Sequence, residues 1–117
     1  MSAVTIYHNP RCSKSRETLS LIEEQGITPT IVKYLEDTPS EAALTTLVEQ
    51  LGLEKAHDLV RTGEAEYKEA GLSAASDDAT VMAAMAKFPR LIQRPIVVKG
   101  DQAVLGRPPE NVLELLK

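Results

Sequence analysis

The sequence predicts an α/β fold with a four-stranded mixed sheet, in which a βαβ half is followed by inserted helices and then by a ββα half. Short segments rich in Val, Ile and other strand-forming residues, at 3–7, 30–34, 95–98 and 103–105, have the composition of strands. A helical pattern separates the first two segments, so these strands should be parallel with a right-handed crossover. A tight turn separates the last two, so these strands should be antiparallel.

The βαβ half is formed by the first strand, a helix and the second strand. Asn9-Pro10 interrupts the first strand. The helix is predicted over residues 13–25, with Leu19 and Ile22 facing inward and Gly26 directly after its C-terminus.

A second helix is predicted near Thr38-Pro39-Ser40-Glu41, which has the pattern of a capping box. Thr38 is expected at the N-cap, Pro39 at N1 and Glu41 at N3, and Gly52 ends the helix. Its inward face is predicted to consist of Leu44, Leu47, Val48 and Leu51.

Residues 53–88 are predicted to be helical and irregular, because two glycines and a serine-containing stretch divide them into short pieces. One piece is a helix that starts near Asp77 and has Val81, Met82 and Met85 on its inward face.

The ββα half has a turn at 99–102 and a last helix that is opened by Gly106-Arg107-Pro108-Pro109, with Val112 and Leu116 facing inward. This order of elements is that of a thioredoxin or glutaredoxin fold. We expect a single domain of 117 residues with a helical insertion at about 40–90.

Composition excludes several classes of protein. A net charge of −4, 3% aromatic residues and no tryptophan argue against a nucleic-acid-binding protein. One cysteine excludes an internal disulfide, and with two histidines it leaves no cysteine-rich metal site. No signal peptide and no membrane-spanning run are found. The expectation is a cytoplasmic monomer with no metal, no bound cofactor, and no nucleic-acid or membrane partner.

The only cysteine, Cys12, lies at the predicted start of the first helix, in the stretch YHNPRCSKSR at 7–16. Free backbone N–H groups and the helix dipole stabilise an anion at such a position. These surroundings, particularly beside cations, lower a thiol pKa from about 8.5 to between about 3.5 and 7.5. A buried structural cysteine is the alternative, but the sequence favours a reactive thiolate.

Positive side chains surround Cys12 along the chain. Arg11, Lys14 and Arg16 precede the first acidic residue of the sequence, and each should lower the thiol pKa. His8 is also close. As a cation it would lower the thiol pKa, and as a neutral donor it would orient the loop. A third possibility is that it packs against the sheet and binds a backbone carbonyl.

The motif Cys12-Ser13-Lys14-Ser15 is C-x-x-S, so the chain cannot form the internal disulfide of a dithiol oxidoreductase. A phosphatase-type C-x5-R loop would place Thr18 at the arginine position. A one-cysteine mechanism is therefore predicted, in which the sulfur forms a covalent intermediate that an external thiol resolves.

Three arginines, Arg61, Arg94 and Arg107, are candidates for binding an anion. Taken singly, each is more often a surface charge or binds a local carbonyl. Arg94 and Arg107 bracket the predicted hairpin, however, and Arg94 precedes Pro95, where a thioredoxin-type fold has a cis-proline that faces the active-site turn. Guanidinium forks suit tetrahedral oxyanions because they offer paired donors and a permanent charge.

Five stretches have a familiar combination of residues: TIYHNPRCSKSRETL at 5–19, PTIVKYLEDTPS at 29–40, RTGEAEYKEAGL at 61–72, LIQRPIVV at 91–98 and GRPPE at 106–110. Through them the chain resembles the glutaredoxin-coupled arsenate reductase family of the thioredoxin-fold superfamily. The resemblance implies that Cys12 is the catalytic cysteine. It also implies that His8 helps to lower the thiol pKa and that Ser15 is the serine of the C-x-x-S motif. Together with the positive charges of Arg11 and Arg16, these two residues are predicted to activate the thiolate. The implied oxyanion-binding residues are Arg61, Arg94 and Arg107.

The reaction implied by this resemblance is the reduction of arsenate. The Cys12 thiolate would attack arsenate and displace water, glutathione as co-substrate would add to the arsenic, and glutaredoxin would reduce the intermediate so that arsenite leaves. Arsenate, glutathione and glutaredoxin are therefore the expected partners. Arg11 and Ser13-Lys14 replace smaller residues of the best-studied branch, and the sequence ends at Lys117, which together suggest a shorter branch.

Two alternatives to arsenate reduction follow from the same residues. One is a glutathione-dependent thiol reductase that acts on another substrate. The other is a regulatory module that binds RNA polymerase, as relatives on this fold do, usually with a C-x-x-C redox switch. Ser15 in place of a second cysteine argues against the regulatory module.

Overall fold

The structure is a computed structural model that describes residues 3–116. Short 3₁₀ helices lie at Ala56–Leu59 and Pro89–Leu91. The strands and α-helices, in chain order, are β1 (Val4–Tyr7), α1 (Ser13–Glu24), β2 (Thr30–Val32), α2 (Glu41–Leu51), α3 (Ala65–Glu69), α4 (Asp78–Lys87), β3 (Ile96–Lys99), β4 (Gln102–Leu105) and α5 (Asn111–Leu116).

The strands form one four-stranded sheet in the order β2-β1-β3-β4. β1 is parallel to β2 and antiparallel to β3, and β3 and β4 form an antiparallel hairpin. In the centre of the sheet Ile6 lies opposite Ile31 on one side and Val97 on the other. The predicted mixed sheet, with a βαβ half and a ββα half, is confirmed.

The chain divides into two compact units. The first unit runs to Asp37 and resumes at Arg94, so it contains the whole sheet with α1 and α5. The second unit, Thr38–Gln93, contains α2, α3 and α4. Its bounds coincide closely with those of the predicted helical insertion.

The core of the first unit lies where α1 and α5 pack together beside the sheet. Its members are Val4, Ile6, Ile22, Val97, Val112 and Leu115. In α5 the second buried residue is Leu115, whereas the sequence predicted Leu116, which is only partly buried. Residues i+3 and i+4 both share a helix face with residue i, so the periodicity from Val112 did not distinguish Leu115 from Leu116.

In the second unit α2 and α4 bury the apolar residues that their periodicity predicted. Leu44, Leu47 and Val48 are buried in α2, and Val81, Met82 and Met85 in α4. Leu51 is only partly buried. Asp77 is the N-cap of α4 and accepts a hydrogen bond from the Thr80 amide at 2.8 Å, which confirms the predicted start of that helix.

The predicted N-cap of α2 is wrong by two residues. The N-cap is Ser40, whose hydroxyl accepts a hydrogen bond from the Ala43 amide at 3.1 Å. Thr38 and Pro39 therefore lie before the helix, and Glu41 is its first residue, where a carboxylate interacts favourably with the helix dipole. Serine and threonine are both good N-caps, so the motif alone did not distinguish them.

The second strand is shorter than predicted and ends at Val32. The chain turns directly after it, because the Lys33 carbonyl accepts hydrogen bonds from the amides of Glu36 and Asp37 at 2.9 and 2.8 Å. Tyr34, predicted to be in the strand, lies in this turn and its side chain is 0% exposed.

Two kinds of structural feature are absent from residues 3–116. No helix in that range is long and apolar enough to cross a bilayer. Nor does that range contain three or more His, Cys, Asp or Glu side chains grouped so that they could hold a metal ion.

Candidate active site

Cys12 lies at the junction of the β1–α1 loop and α1, where it is the N-cap residue with extended backbone angles. Asn9 shapes this loop. Its carbonyl accepts a hydrogen bond from the Cys12 amide and its side-chain oxygen accepts one from the Arg11 amide, both at 3.0 Å. The loop therefore presents a partly exposed thiol at the N-terminus of a 12-residue helix.

The thiol of Cys12 is acidified by its immediate surroundings. Burial by itself raises the pKa of the Cys12 thiol. The N–H donors of the Ser15 amide, the Arg94 side chain and the Lys14 amide act against burial and bring the pKa of the thiol below its ordinary value. Two of these donors are the free N–H groups of the first turn of α1, which satisfy no backbone acceptor within the helix.

A buried hydrogen-bond network stabilises the β1–α1 loop. Ser15 is 0% exposed, and its hydroxyl oxygen accepts a hydrogen bond from the Asn9 amide at 3.0 Å. The same oxygen is 3.0 Å from Nδ1 of His8. Since Ser15 accepts from Asn9, its one hydroxyl proton is available to donate to an unprotonated Nδ1.

His8 itself is buried, and burial lowers its pKa, with further lowering by the positive charges of Lys33 and Arg16. The imidazole is therefore mostly neutral at pH 7. This favours the interpretation of His8 as a neutral side chain that orients the loop through Ser15, over its interpretation as a cation beside the thiolate.

The remaining cations near Cys12 in sequence have other partners. Arg16 Nη1 donates to the Pro10 carbonyl at 2.9 Å and so braces the loop. Lys14 Nζ lies 3.8 Å from a Glu17 carboxylate oxygen, with both side chains half exposed. Arg11 is exposed. In the contacts described for residues 3–116, the side chains of Arg11 and Arg16 do not reach the Cys12 thiol. Activation of the thiol by these two arginines therefore stays a prediction.

Two of the three predicted arginines converge on Cys12. Arg107 Nη2 is 3.7 Å from Cys12 Sγ, and Arg107 Nε donates to the Arg94 carbonyl at 2.7 Å. The Arg94 side chain is among the groups that lower the pKa of the Cys12 thiol. Burial by itself lowers the pKa of Arg94, but Tyr34 and Cys12 raise it above its ordinary value, so Arg94 is a permanent cation.

The backbone around both arginines is unusual, because the Arg94–Pro95 and Arg107–Pro108 peptide bonds are cis. Gly106 directly precedes Arg107, and its amide donates to the Pro95 carbonyl at 2.9 Å. A Cβ atom at Gly106 would lie 2.5 Å from Thr18 Oγ1 and 2.7 Å from Pro95 Cγ. Only glycine fits here, so this contact fixes the start of the Arg107 loop against α1 and Pro95.

The third predicted arginine, Arg61, belongs to the second unit. Its Nε is 3.7 Å from a Glu64 carboxylate oxygen, and its amide donates to the Leu91 carbonyl at 2.7 Å. The described contacts join Cys12 to Arg107, which in turn binds the Arg94 carbonyl, and the role of Arg61 in binding an oxyanion stays a prediction.

Sequence reasoning missed Tyr34, Thr18 and Asn9 as parts of this site. Tyr34 is the last residue of the predicted second strand, and no local sequence pattern indicates that its side chain is buried in the turn. Thr18 and Asn9 act by packing and by shaping a turn, and an Asn before Pro is a known turn signal. Gly106 was recognised only as a chain breaker.

Comparison with known proteins was decisive for the family. The model of the family described as ArsC matches residues 7–115. The chain belongs to the ArsC family. It is 50% identical over 115 residues to the protein YfgD of Escherichia coli K12, covering 97% of this chain and 96% of YfgD. It is 44% identical over 115 residues to an arsenate reductase of Haemophilus influenzae, covering 97% and 99% of the two chains.

A solved structure resembles this ArsC-family chain closely. It is described as an arsenate reductase from Vibrio cholerae, and it superposes with a TM-score of 0.93 at 54% identity, covering 97% of each chain. The expected family is therefore confirmed, and with it the fold.

The site of this ArsC-family member combines a thiol whose pKa is lowered, in part by Arg94, with the Arg107 guanidinium 3.7 Å from the sulfur. A thiolate that attacks an anion must overcome charge repulsion, and guanidinium groups neutralise the anion and orient its oxygens. The arrangement therefore suits attack of sulfur on a small oxyanion.

Proposed function

We propose that the protein is an arsenate reductase in which Cys12 is the nucleophile. The single observation that carries this proposal is the convergence of Arg94 and Arg107 on a thiol whose pKa is lowered. The names of the Haemophilus influenzae and Vibrio cholerae relatives support arsenate as the substrate.

In the proposed reaction the Cys12 thiolate attacks the arsenic atom of arsenate, an S–As bond forms, and one arsenate oxygen leaves as water after protonation. Glutathione then bonds to the same arsenic through its sulfur and displaces a second oxygen as water. A glutaredoxin thiolate attacks the glutathione sulfur, so the two sulfurs form a disulfide while arsenic gains two electrons. Hydrolysis of the remaining S–As bond releases arsenite and restores Cys12.

The residues of this chain stabilise the thiolate and bind the oxyanion in that reaction. The Lys14 and Ser15 amides stabilise the thiolate, while Arg94 and Arg107 bind the oxyanion and neutralise its charge. We include Arg61 as a third oxyanion-binding residue on the basis of the family resemblance. A free thiolate requires a reducing compartment, so the proposal places the protein in the cytoplasm.

The test is arsenate-dependent NADPH consumption in the presence of glutathione, glutaredoxin and glutathione reductase. We expect turnover by the wild-type protein and none by Cys12→Ser. Omitting glutathione or glutaredoxin separately should also stop turnover. If folded wild-type protein gives no turnover while Cys12 is alkylated readily at neutral pH, the substrate is not arsenate. A glutathione-dependent thiol reductase would then be the better assignment.

Ser15 gives a structural reason to set aside the regulatory alternative. A C-x-x-C redox switch needs a second sulfur at this position. The Ser15 hydroxyl instead hydrogen-bonds the Asn9 amide and His8 in a buried network.

A further inference from the structure

Asn111, the first residue of α5, binds the backbone of the segment that carries Arg107. Its side-chain nitrogen Nδ2 donates to the Leu105 carbonyl at 3.3 Å and to the Arg107 carbonyl at 3.1 Å. An asparagine NH₂ group has two protons, so it can bind both carbonyls at once. One side chain therefore connects the end of β4 and the Arg107 backbone to the start of a helix.

The loop between β4 and α5 needs such a donor from a side chain. Pro108 and Pro109 have no N–H group. The Gly106 amide is bound to the Pro95 carbonyl at 2.9 Å. Asn111 thus supplies two N–H donors in a segment whose own backbone has few.

Both ends of this connection are fixed to the first unit. Next to Asn111 is Val112, which is 0% exposed in the core that α1 and α5 form beside the sheet. At the other end, Arg107 Nε donates to the Arg94 carbonyl at 2.7 Å, and Arg107 Nη2 is 3.7 Å from Cys12 Sγ. Arg107 is therefore held at its carbonyl by Asn111 and at its Nε by Arg94.

We propose that Asn111 is a positioning residue, which holds the Arg107 backbone so that the guanidinium is directed at an anion bound beside Cys12. Arginine has a long side chain with many rotamers, and ordering it costs entropy. A cation stabilises a charge most effectively when its position is fixed before the anion arrives. This proposal rests on Cys12 attacking an anion, as in the proposed function, but its main test needs no arsenate.

The test compares alkylation of Cys12 by iodoacetate, which is an anion, and by iodoacetamide, which is neutral. Both reagents consume the thiolate, so the ratio of their rates at one pH is independent of the thiol pKa. Withdrawing a cation from about 4 Å to about 6 Å weakens attraction of an anion about twofold in water and about tenfold at an effective dielectric constant of about 20. For Asn111→Ala we therefore expect the iodoacetate-to-iodoacetamide ratio to fall about threefold.

Ser40→Ala is the matched control. Ser40 also uses its side chain to bind a backbone group at the start of a helix, the Ala43 amide at 3.1 Å, but it belongs to the second unit. We expect this substitution to leave the ratio of alkylation rates unchanged. Circular dichroism and thermal melting establish that each variant is folded.

A double-mutant cycle with Arg107→Met separates positioning from mere stabilisation of the loop. In the Arg107→Met background, Asn111→Ala should cause no further fall in the ratio, because the cation that Asn111 positions is absent. An Asn111→Ala variant that melts earlier but keeps the wild-type ratio would overturn the proposal. An equal fall with and without Arg107 would overturn it too.

Asn111→Ser is a milder second variant, which decides the question if Asn111→Ala does not fold. A serine hydroxyl has one proton, so it can bind only one of the two carbonyls at a time. We expect a smaller fall in the ratio than for Asn111→Ala. A wild-type ratio in folded Asn111→Ser, with Asn111→Ala unfolded, would contradict positioning.

Failure of the proposed function would give a different result. If arsenate is not the substrate, the coupled assay gives no turnover for any variant, while the fall in the alkylation ratio for Asn111→Ala is still observed. If arsenate is the substrate, Asn111→Ala should raise KM for arsenate several-fold more than Ser40→Ala does.

Discussion

Gly106→Ala should disturb both the stability of the protein and the geometry of its site. The added Cβ would lie 2.5 Å from Thr18 Oγ1, 2.7 Å from Pro95 Cγ and 3.0 Å from Thr18 Cγ2. The first two distances are shorter than real Cβ contacts. Neither neighbour can move easily, because Thr18 is 0% exposed and Pro95 has a rigid ring.

The size of the effect follows from this overlap. Forcing an extra carbon into a well-packed position costs about 1–3 kcal/mol. For a domain of this size that corresponds to a fall in Tm of about 5–15 °C. Arg107 is the next residue, so relief of the overlap by backbone movement would also shift its guanidinium from Cys12. We therefore expect KM for arsenate to rise together with the loss of stability.

Thermal and urea unfolding followed by circular dichroism measure the stability change. Gly63→Ala is the matched control, since a Cβ there meets nothing within 4 Å, and we expect a change within about 0.5 kcal/mol. Thr18→Ala removes two of the three close atoms. Combined with Gly106→Ala it should therefore destabilise less than the two single changes added together. If Gly106→Ala is no worse than Gly63→Ala, or if the combination is strictly additive, the packing argument is wrong.

Three further predictions concern the loop and the helix cap. The pKa of His8 is lowered on folding, so the unfolded chain binds more protons than the folded chain does. The free energy of unfolding should therefore fall as the pH drops through 6.5. Urea titrations at several pH values should show a weaker fall for His8→Asn. Ser15→Ala leaves the buried Asn9 amide and His8 without their partner and should cost about 1–3 kcal/mol in urea unfolding. Ser40→Ala should lower the free energy of unfolding by about 1 kcal/mol, and Thr38→Ala should change it little. If thermal melts give the reverse order, Thr38 is the N-cap of α2.

The strands and their pairing could be predicted because they depend on local periodicity. Alternation of apolar residues defines a strand, and the length of each connection determines whether neighbours are parallel or antiparallel. Cys12 could be placed for the same reason, since the break at Asn9-Pro10 must precede the helix. Stabilisation of the thiolate by the Lys14 and Ser15 amides is a direct consequence of that local position.

What could not be predicted depends on contacts between distant parts of the chain. The clash that makes Gly106 necessary involves Thr18 and Pro95, which no local pattern connects. The effect of Tyr34 on the pKa of Arg94 is hidden for the same reason. The error at Thr38 has a different origin, because two neighbouring residues had similar capping propensities and only the Ser40–Ala43 hydrogen bond decided between them.

Groups that are near Cys12 in sequence and groups that reach it from distant parts of the chain affect the site differently. The amides of the first turn of α1 act on the thiol alone, whereas Arg94 and Arg107 can act on both the thiol and an incoming anion. The Nε of Arg107 binds the Arg94 carbonyl, so displacing the backbone at either arginine disturbs the other. Substitutions at the arginines should therefore impair anion binding more than thiol acidity, because the amides would still stabilise the thiolate. The pKa of the Cys12 thiol is thus lowered largely by local groups, whereas the proposed oxyanion site forms only when the hairpin and its flanking loops fold against α1.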